Sequence, residues 1–237
     1  SGHSKWSTIK HKKAKEDSLR GKKFTKLIKE ITIAARDGGG DPLGNPRLRL
    51  LLDKAKEINM PAENSTRAIK RGTGEMPGVS YESYIYEGYG PGKCAVIIDM
   101  LTDNKNRAIS NIRTFFNKQG GHLAESGAVS WMFDRLGVVR IPSENVTEDA
   151  LLEKLIEYPI HDISAQESFM VITVELTQLD AVRQALEDQG YAIESSDIEY
   201  IAKNSVPLDA ETEEKAYEFL QALDELDDVQ NVYTNIG

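Results

Sequence analysis

Hydrophobic periodicity shifts at residues 72–78, where Thr73, Gly74 and Pro77 separate an all-helical run of spacing from the first strand-like alternation. Before that break, Phe24, Leu27, Ile28, Ile31 and Ala35 recur at intervals of three and four, and Gly38, Gly39 and Gly40 end the pattern, which predicts a helix over residues 19–36. Asn45 as cap and Pro46 at the first helical position open a second helix, with Leu48, Leu51, Leu52, Ala55 and Ile58 along one face. Pro61 and Glu63 open a third, closed by Gly72. Three short amphipathic helices bury a joint stripe, so residues 19–72 are expected to form a small helical unit.

After the break, the pattern reads as strands over 84–89 and 94–101, a helix over 106–118 with Ile109, Ile112, Phe115 and Phe116 inward, and a strand over 128–133. That ββαβ run lacks a second helix. From Val138 come a strand, a helix over 148–157, strands over 163–166 and 169–175, a helix over 179–189 and a strand over 193–202. This βαββαβ order is a complete split βαβ unit by itself. A helix over 209–224 and a strand over 229–235 are left over, and they supply what the earlier run lacks. The expectation is an α+β protein of three domains: an N-terminal arm and three-helix domain (1–76), and two α/β ferredoxin-like domains, one (137–204) inserted in the other (77–136 plus 205–237).

Charge is segregated along the same line. Residues 1–37 hold eleven Lys and Arg against four Asp and Glu, although the whole chain has a net charge of −9. Residues 141–237 hold four against twenty-three. One end is therefore suited to a polyanion and the other repels it. A single cysteine, Cys94, rules out a disulfide framework and a cysteine-based zinc site, and fits a reducing compartment. Neither a membrane-length apolar run nor a signal-peptide core is present in the sequence, so a cytoplasmic location is expected.

Catalytic and metal motifs fail on spacing. The GYGPGKC stretch at residues 88–94 has Glu87 where a phosphate loop needs glycine, and Cys94 where it needs a hydroxyl. His3, His11, His122 and His161 lack i, i+4 spacing, and Ser126 lacks the glycine frame of a nucleophile elbow. No enzyme activity, metal or cofactor is expected, and no small-molecule substrate. The positive signal is the arm, where Lys5, Lys10, Lys12, Lys13, Lys15, Arg20, Lys22, Lys23 and Lys26 can neutralise phosphates. His11 lies among them, and Trp6 offers a ring for stacking on an unpaired base.

Specific stretches resemble the YebC/PmpR family: GHSKW at 2–6, IKHKKA at 9–14, GKKFTKLIKEI at 21–31, ARDGGGDP at 35–42, RAIKRGTGE at 67–75, YEGYGPG at 86–92, LTDNKNR at 101–107, VSWMF at 129–133 and LDDVQNVY at 226–233. Lys93, His122 and Ala124 depart from the family pattern. The resemblance implies a bacterial cytoplasmic protein with the three-domain order read above. It also implies a DNA-binding transcriptional regulator acting through the Lys-rich arm, or alternatively a ribosome- or RNA-associated translation factor relieving stalled translation, since bacterial members are associated with ribosomes stalled on proline-rich stretches and the mitochondrial relative activates synthesis of a respiratory oxidase subunit. A third class, an enzyme using a cleft between domains, rests on no specific residue.

Overall fold

A computed structural model describes residues 5–7, 9–10 and 20–237. The fold is α+β: a three-helix unit followed by two antiparallel four-stranded sheets. Helices α1 (Arg20–Gly38), α2 (Pro46–Glu57) and α3 (Ala62–Gly72) follow the expected spacing. Leu27, Ile31 and Ala34 of α1, Leu48, Leu51 and Ala55 of α2 and Ala68 of α3 form their common core. Asn45 does two jobs at the first corner. Its side-chain oxygen caps α2 by accepting from Leu48 N at 3.1 Å, while its amide donates to Ala34 O and Gly39 O at 2.8 Å each, tying the end of α1 to the start of α2. Gly72 sets the closeness of α3 to α1, since a Cβ there would stand 2.3 Å from Thr32 O.

The first sheet contains β1 (Glu82–Tyr89), β2 (Ala95–Thr102), β3 (His122–Ala124) and β8 (Val229–Thr234), in the order β3-β1-β2-β8. Strand β2 is apolar on both faces apart from Asp99 and the terminal Thr102, which demands a central place with cover on each side. Val96, Ile98 and Met100 face helices α4 (Lys105–Gln119) and α7 (Ala210–Asp224), whose Ala108, Ile112, Phe116, Ala216, Phe219, Leu220 and Leu223 complete the core. Ala95 and Ile97 face Val129, Phe133 and the partly buried Tyr200 and Tyr233. Both β2 and β3 run antiparallel to β1, so β2-α4-β3 is a split unit with β1 between its parallel strands.

The second sheet, ordered β5-β6-β4-β7, contains β4 (Phe133–Pro142), β5 (Ile160–Gln166), β6 (Phe169–Val174) and β7 (Ser195–Ala202). Helices α5 (Glu148–Lys154) and α6 (Leu179–Asp188) cover one face through Leu151, Val182 and Leu186. Two split units interleave here, each holding the other's first strand between its own pair, which is the βαββαβ arrangement. After it is complete, the chain returns through α7 to place β8 against β2, with Val96 opposite Thr234 and Ile98 opposite Val232.

The strand expected over residues 128–133 does not form. Glu87 accepts hydrogen bonds from the backbone N–H groups of Gly127, Val129 and Ser130, so these donors are withdrawn from any ladder and the segment turns as a 3-10 helix at Ser130–Met132. The short β3 takes the vacant edge position instead, and Phe133 opens β4, which runs through residues 136 and 137.

Candidate nucleic-acid interface

The arm residues that the structure describes are docked rather than free. Backbone at residues 5–7 and 9–10 is helical. Trp6, only 4% exposed, lies in the core of the first sheet, with its indole N–H donating to Val232 O at 2.9 Å. A ring held there cannot stack on a base, which corrects the reading of Trp6 as a stacking face. Burying an indole removes roughly 150–250 Å² from water, and its one polar group has found a partner, so nothing favours its release. Ile9 packs beside it.

Neighbouring cations are engaged in the same way. Lys5 Nζ lies 2.7 Å from Glu213 Oε1 and 5.2 Å from the centre of the Tyr217 ring. Lys10 Nζ donates to Asn231 Oδ1 at 2.6 Å and sits 5.6 Å from the centre of the Tyr233 ring. On α1, Lys26 Nζ donates to Asp224 O and stands 3.7 Å from the Asp224 carboxylate. Burial lowers the Lys26 pKa, although Asp224 opposes the shift. Lys5, Trp6, Lys10 and Lys26 therefore meet on one element, the α7–β8 unit. Lys22 is exposed and lines a cavity of about 190 Å³ with Asn111, Glu225 and Asp227, whereas Lys23 is half-buried. Arg20 opens α1. His11, Lys12, Lys13 and Lys15 lie outside the described residues.

Sequence reasoning missed the residue that fastens α1 most firmly, Lys29. Its Nζ donates to Asp227 O at 2.7 Å and Leu101 O at 3.1 Å, and lies 3.7 Å from Asp228 Oδ1. Asp228 also receives Arg107 at 2.8 Å and the Thr102 hydroxyl at 2.9 Å. Burial pushes the Asp228 carboxyl up, but Arg107, Thr102 and Lys29 outweigh it and hold it below the ordinary value. No local signal separates Lys29 from its neighbours, because its acceptors are distant in sequence.

Between the helical unit and both sheets lies a polar cleft of about 140 Å³, lined by Trp6, Lys10, Glu30, Lys54, Asp197 and Tyr233 among others. Glu30 accepts from Gln230, and burial, reinforced by Asp197, raises its pKa against the pull of Lys54 and Arg47. At the edge of this cleft, Arg140, 1% exposed, forms a two-pronged pair with Glu199 and donates to Ser7 Oγ at 3.0 Å. The arm thus contacts both sheets. Among the described residues, no three His, Cys, Asp or Glu side chains are placed to hold a metal, and no helix is long and apolar enough to cross a membrane.

Comparison with known proteins agrees along the whole length. Residues 4–75 match the family model of the TACO1/YebC protein N-terminal domain, and residues 81–236 match that of the TACO1/YebC second and third domain. A probable transcriptional regulatory protein of Chlorobaculum tepidum is 49% identical over 237 residues, covering all of this chain and 94% of its own. Another of that name, from Geobacter sulfurreducens, is 50% identical over 236 residues, with 99% and 95% covered. The crystal structure of a conserved hypothetical protein from Aquifex aeolicus superposes with a TM-score of 0.83 at 45% identity, covering 93% of this chain and 91% of the other. With both domain models matched in order, and relatives aligned end to end at about half identity, the chain belongs to the TACO1/YebC family.

Proposed function

We propose that the chain is a non-enzymatic nucleic-acid-binding regulator of gene expression, a DNA-binding transcriptional regulator in its finer reading, that contacts phosphates through the lysine-rich stretch between its two anchored flanks. The carrying observation is the density of positive charge beside docked lysines. Lys10 and Lys26 are bonded to Asn231 and Asp224 on the α7–β8 unit, and the sequence between them carries His11, Lys12, Lys13, Lys15, Arg20, Lys22 and Lys23 against only Glu16 and Asp17. Such a run suits phosphates through charge density alone. The names of the curated relatives support a regulatory role.

Replacing Lys12, Lys13 and Lys15 together with alanine tests this. The slope of log affinity against log salt is expected to flatten by about 0.9 per lost contact on duplex DNA, or about 0.7 on single strands. Lys10→Ala, whose side chain is already engaged, leaves the slope nearly unchanged. An unaltered affinity and slope in the triple variant would remove the arm from the interface. A second reading, an RNA-associated translation factor, is favoured by one observation, the exposed Trp131 in the 3-10 turn Ser130–Met132, whose ring an intact duplex has no unpaired base to cover.

A further inference from the structure

We propose that Trp131 is a stacking platform for an unpaired base of a single-stranded nucleic acid, a proposal that rests on the nucleic-acid reading above. The two tryptophans of the chain have opposite fates: Trp6 is 4% exposed and Trp131 is 66% exposed. A ring of that size left in water forgoes one of the larger burial gains open to any side chain. Its immediate neighbours do not forgo it, because Val129 and Phe133 are both buried in the core beneath β2.

The exposed ring is held rigidly. Its indole N–H donates to Ala128 O at 3.0 Å, within its own turn, which restricts the side-chain rotamer. The turn is fixed in its own right, since the buried Glu87 carboxylate accepts from Gly127 N at 2.8 Å, Val129 N at 2.7 Å and Ser130 N at 2.9 Å. Burial alone would raise the Glu87 pKa, yet these backbone donors hold it below the ordinary value, so the anchor stays charged. From the other side, Lys203 N donates to Met132 O at 2.9 Å. A side chain and backbone ordered before binding lower the ordering cost of contact, which is the property of a platform and not of a stray surface residue.

Chemistry narrows the occupant. With its only donor committed inside the turn, the ring offers its π faces, and every base has a π face to match, whatever the sequence. Charge agrees. Residues 77–140, which carry the turn, hold seven Lys and Arg against six Asp and Glu, one of which is the internally satisfied Glu87, whereas residues 141–237 are strongly acidic. Arg135 is exposed just beyond the turn, while Lys203, bonded to Met132 O through its backbone N–H, pairs its Nζ with Asp134 at 3.5 Å. The docked arm shares the same support, because Lys10 lies over Tyr233, which packs on the cluster containing Val129 and Phe133. A strand reaching the arm's lysines thus has an aromatic stop on the same body of the protein.

The test uses the full chain, mixed-sequence single-stranded RNA and DNA oligonucleotides, and the matching duplex. Trp131→Ala is expected to weaken single-strand binding by about 5- to 150-fold, the worth of stacking one base, and to leave duplex binding unchanged. Trp131→Phe retains most of the affinity. Single strands quench the tryptophan emission of the parent chain, and this response disappears in Trp131→Phe, where only the buried Trp6 remains. Thermal melting stays unchanged in both variants because the ring is exposed. Single-strand affinity that survives Trp131→Ala, or that falls equally on the duplex, overturns the platform while leaving the nucleic-acid reading intact. A parent chain that binds none of the probes overturns both.

Discussion

The two sheets of this protein solve the same packing problem with opposite uses of the chain. Every strand and helix of the second sheet comes from one continuous run, and a single core of Val139, Ile141, Leu151, Ile172, Val182 and Leu186 serves it. The first sheet is assembled from three distant places: β1 to β3, the returning α7–β8 and the arm's Trp6. Locally built units can form on their own contacts, whereas a sheet closed by both chain ends must hold them in place. The lesson concerns the arm. Its first lysines are part of how the first sheet closes, so composition alone overstates how many of them are available to a polyanion.

Removing residues 207–237 should break the comparison most sharply. The deletion takes away β8 and, from the core, Ala216, Phe219, Leu220, Leu223, Val229 and Val232. With a single Phe→Ala change in a core costing about 3–5 kcal/mol, the combined loss exceeds the roughly 5–15 kcal/mol that stabilises a typical domain. Hydrogen exchange is expected to show β1 and β2 unprotected and β4 and β6 still protected. Persistent protection of β2 would mean that the first sheet does not depend on the returning segment.

A smaller effect comes from Trp6→Ala, which should cost about 3–5 kcal/mol and concentrate in the first sheet. The indole leaves a cavity in the first sheet's core, and Val232 O loses its donor. Denaturant titration gives the total, and exchange at β8 against β5 gives its location. An equal loss of protection in both sheets would show that the arm, through Ser7 and Arg140, joins them into one cooperative unit.

The smallest expected effect lies at the junction between them. Glu30 has its carboxyl pKa raised above the ordinary 4.5, chiefly by burial and then by Asp197. The folded state therefore binds a proton at pH values where the unfolded state has already lost it, so this group's contribution to stability grows as pH falls from the raised value toward 4.5 and is flat below. Asp99, also raised by burial, acts in the same sense, while Glu87 and Asp228, both lowered, act oppositely and only at lower pH. Glu30→Gln should raise the melting temperature at pH 7 and reduce the gain seen on mild acidification. Identical pH profiles for the two proteins would show that Glu30 is solvated and that the junction is open.

Much of the fold was legible in local pattern. The Asn45 cap, the continuous apolar run of β2 and the leftover αβ at the C-terminus each reflect short-range rules of backbone hydrogen bonding and side-chain patterning. Residues 128–133 misled because a strand-like composition was overridden by Glu87, whose carboxylate lies forty or so positions away in the chain and takes up the backbone donors. The candidate site was legible only as a region: charge marked the arm, but charge does not say which lysines have partners.

By itself the sequence determined the order of elements, the helical and strand periodicities and the segregation of charge, because each depends on neighbours a few positions apart. Tertiary structure alone decided that Trp6 is buried and Trp131 exposed, that Lys5, Lys10, Lys26 and Lys29 are held by the C-terminal segment, and that Glu87 shapes a turn. These outcomes depend on desolvation and on hydrogen-bond partners more than two hundred residues away in the chain, and two tryptophans or two lysines with similar local surroundings carry no mark of which one the folded chain will enclose.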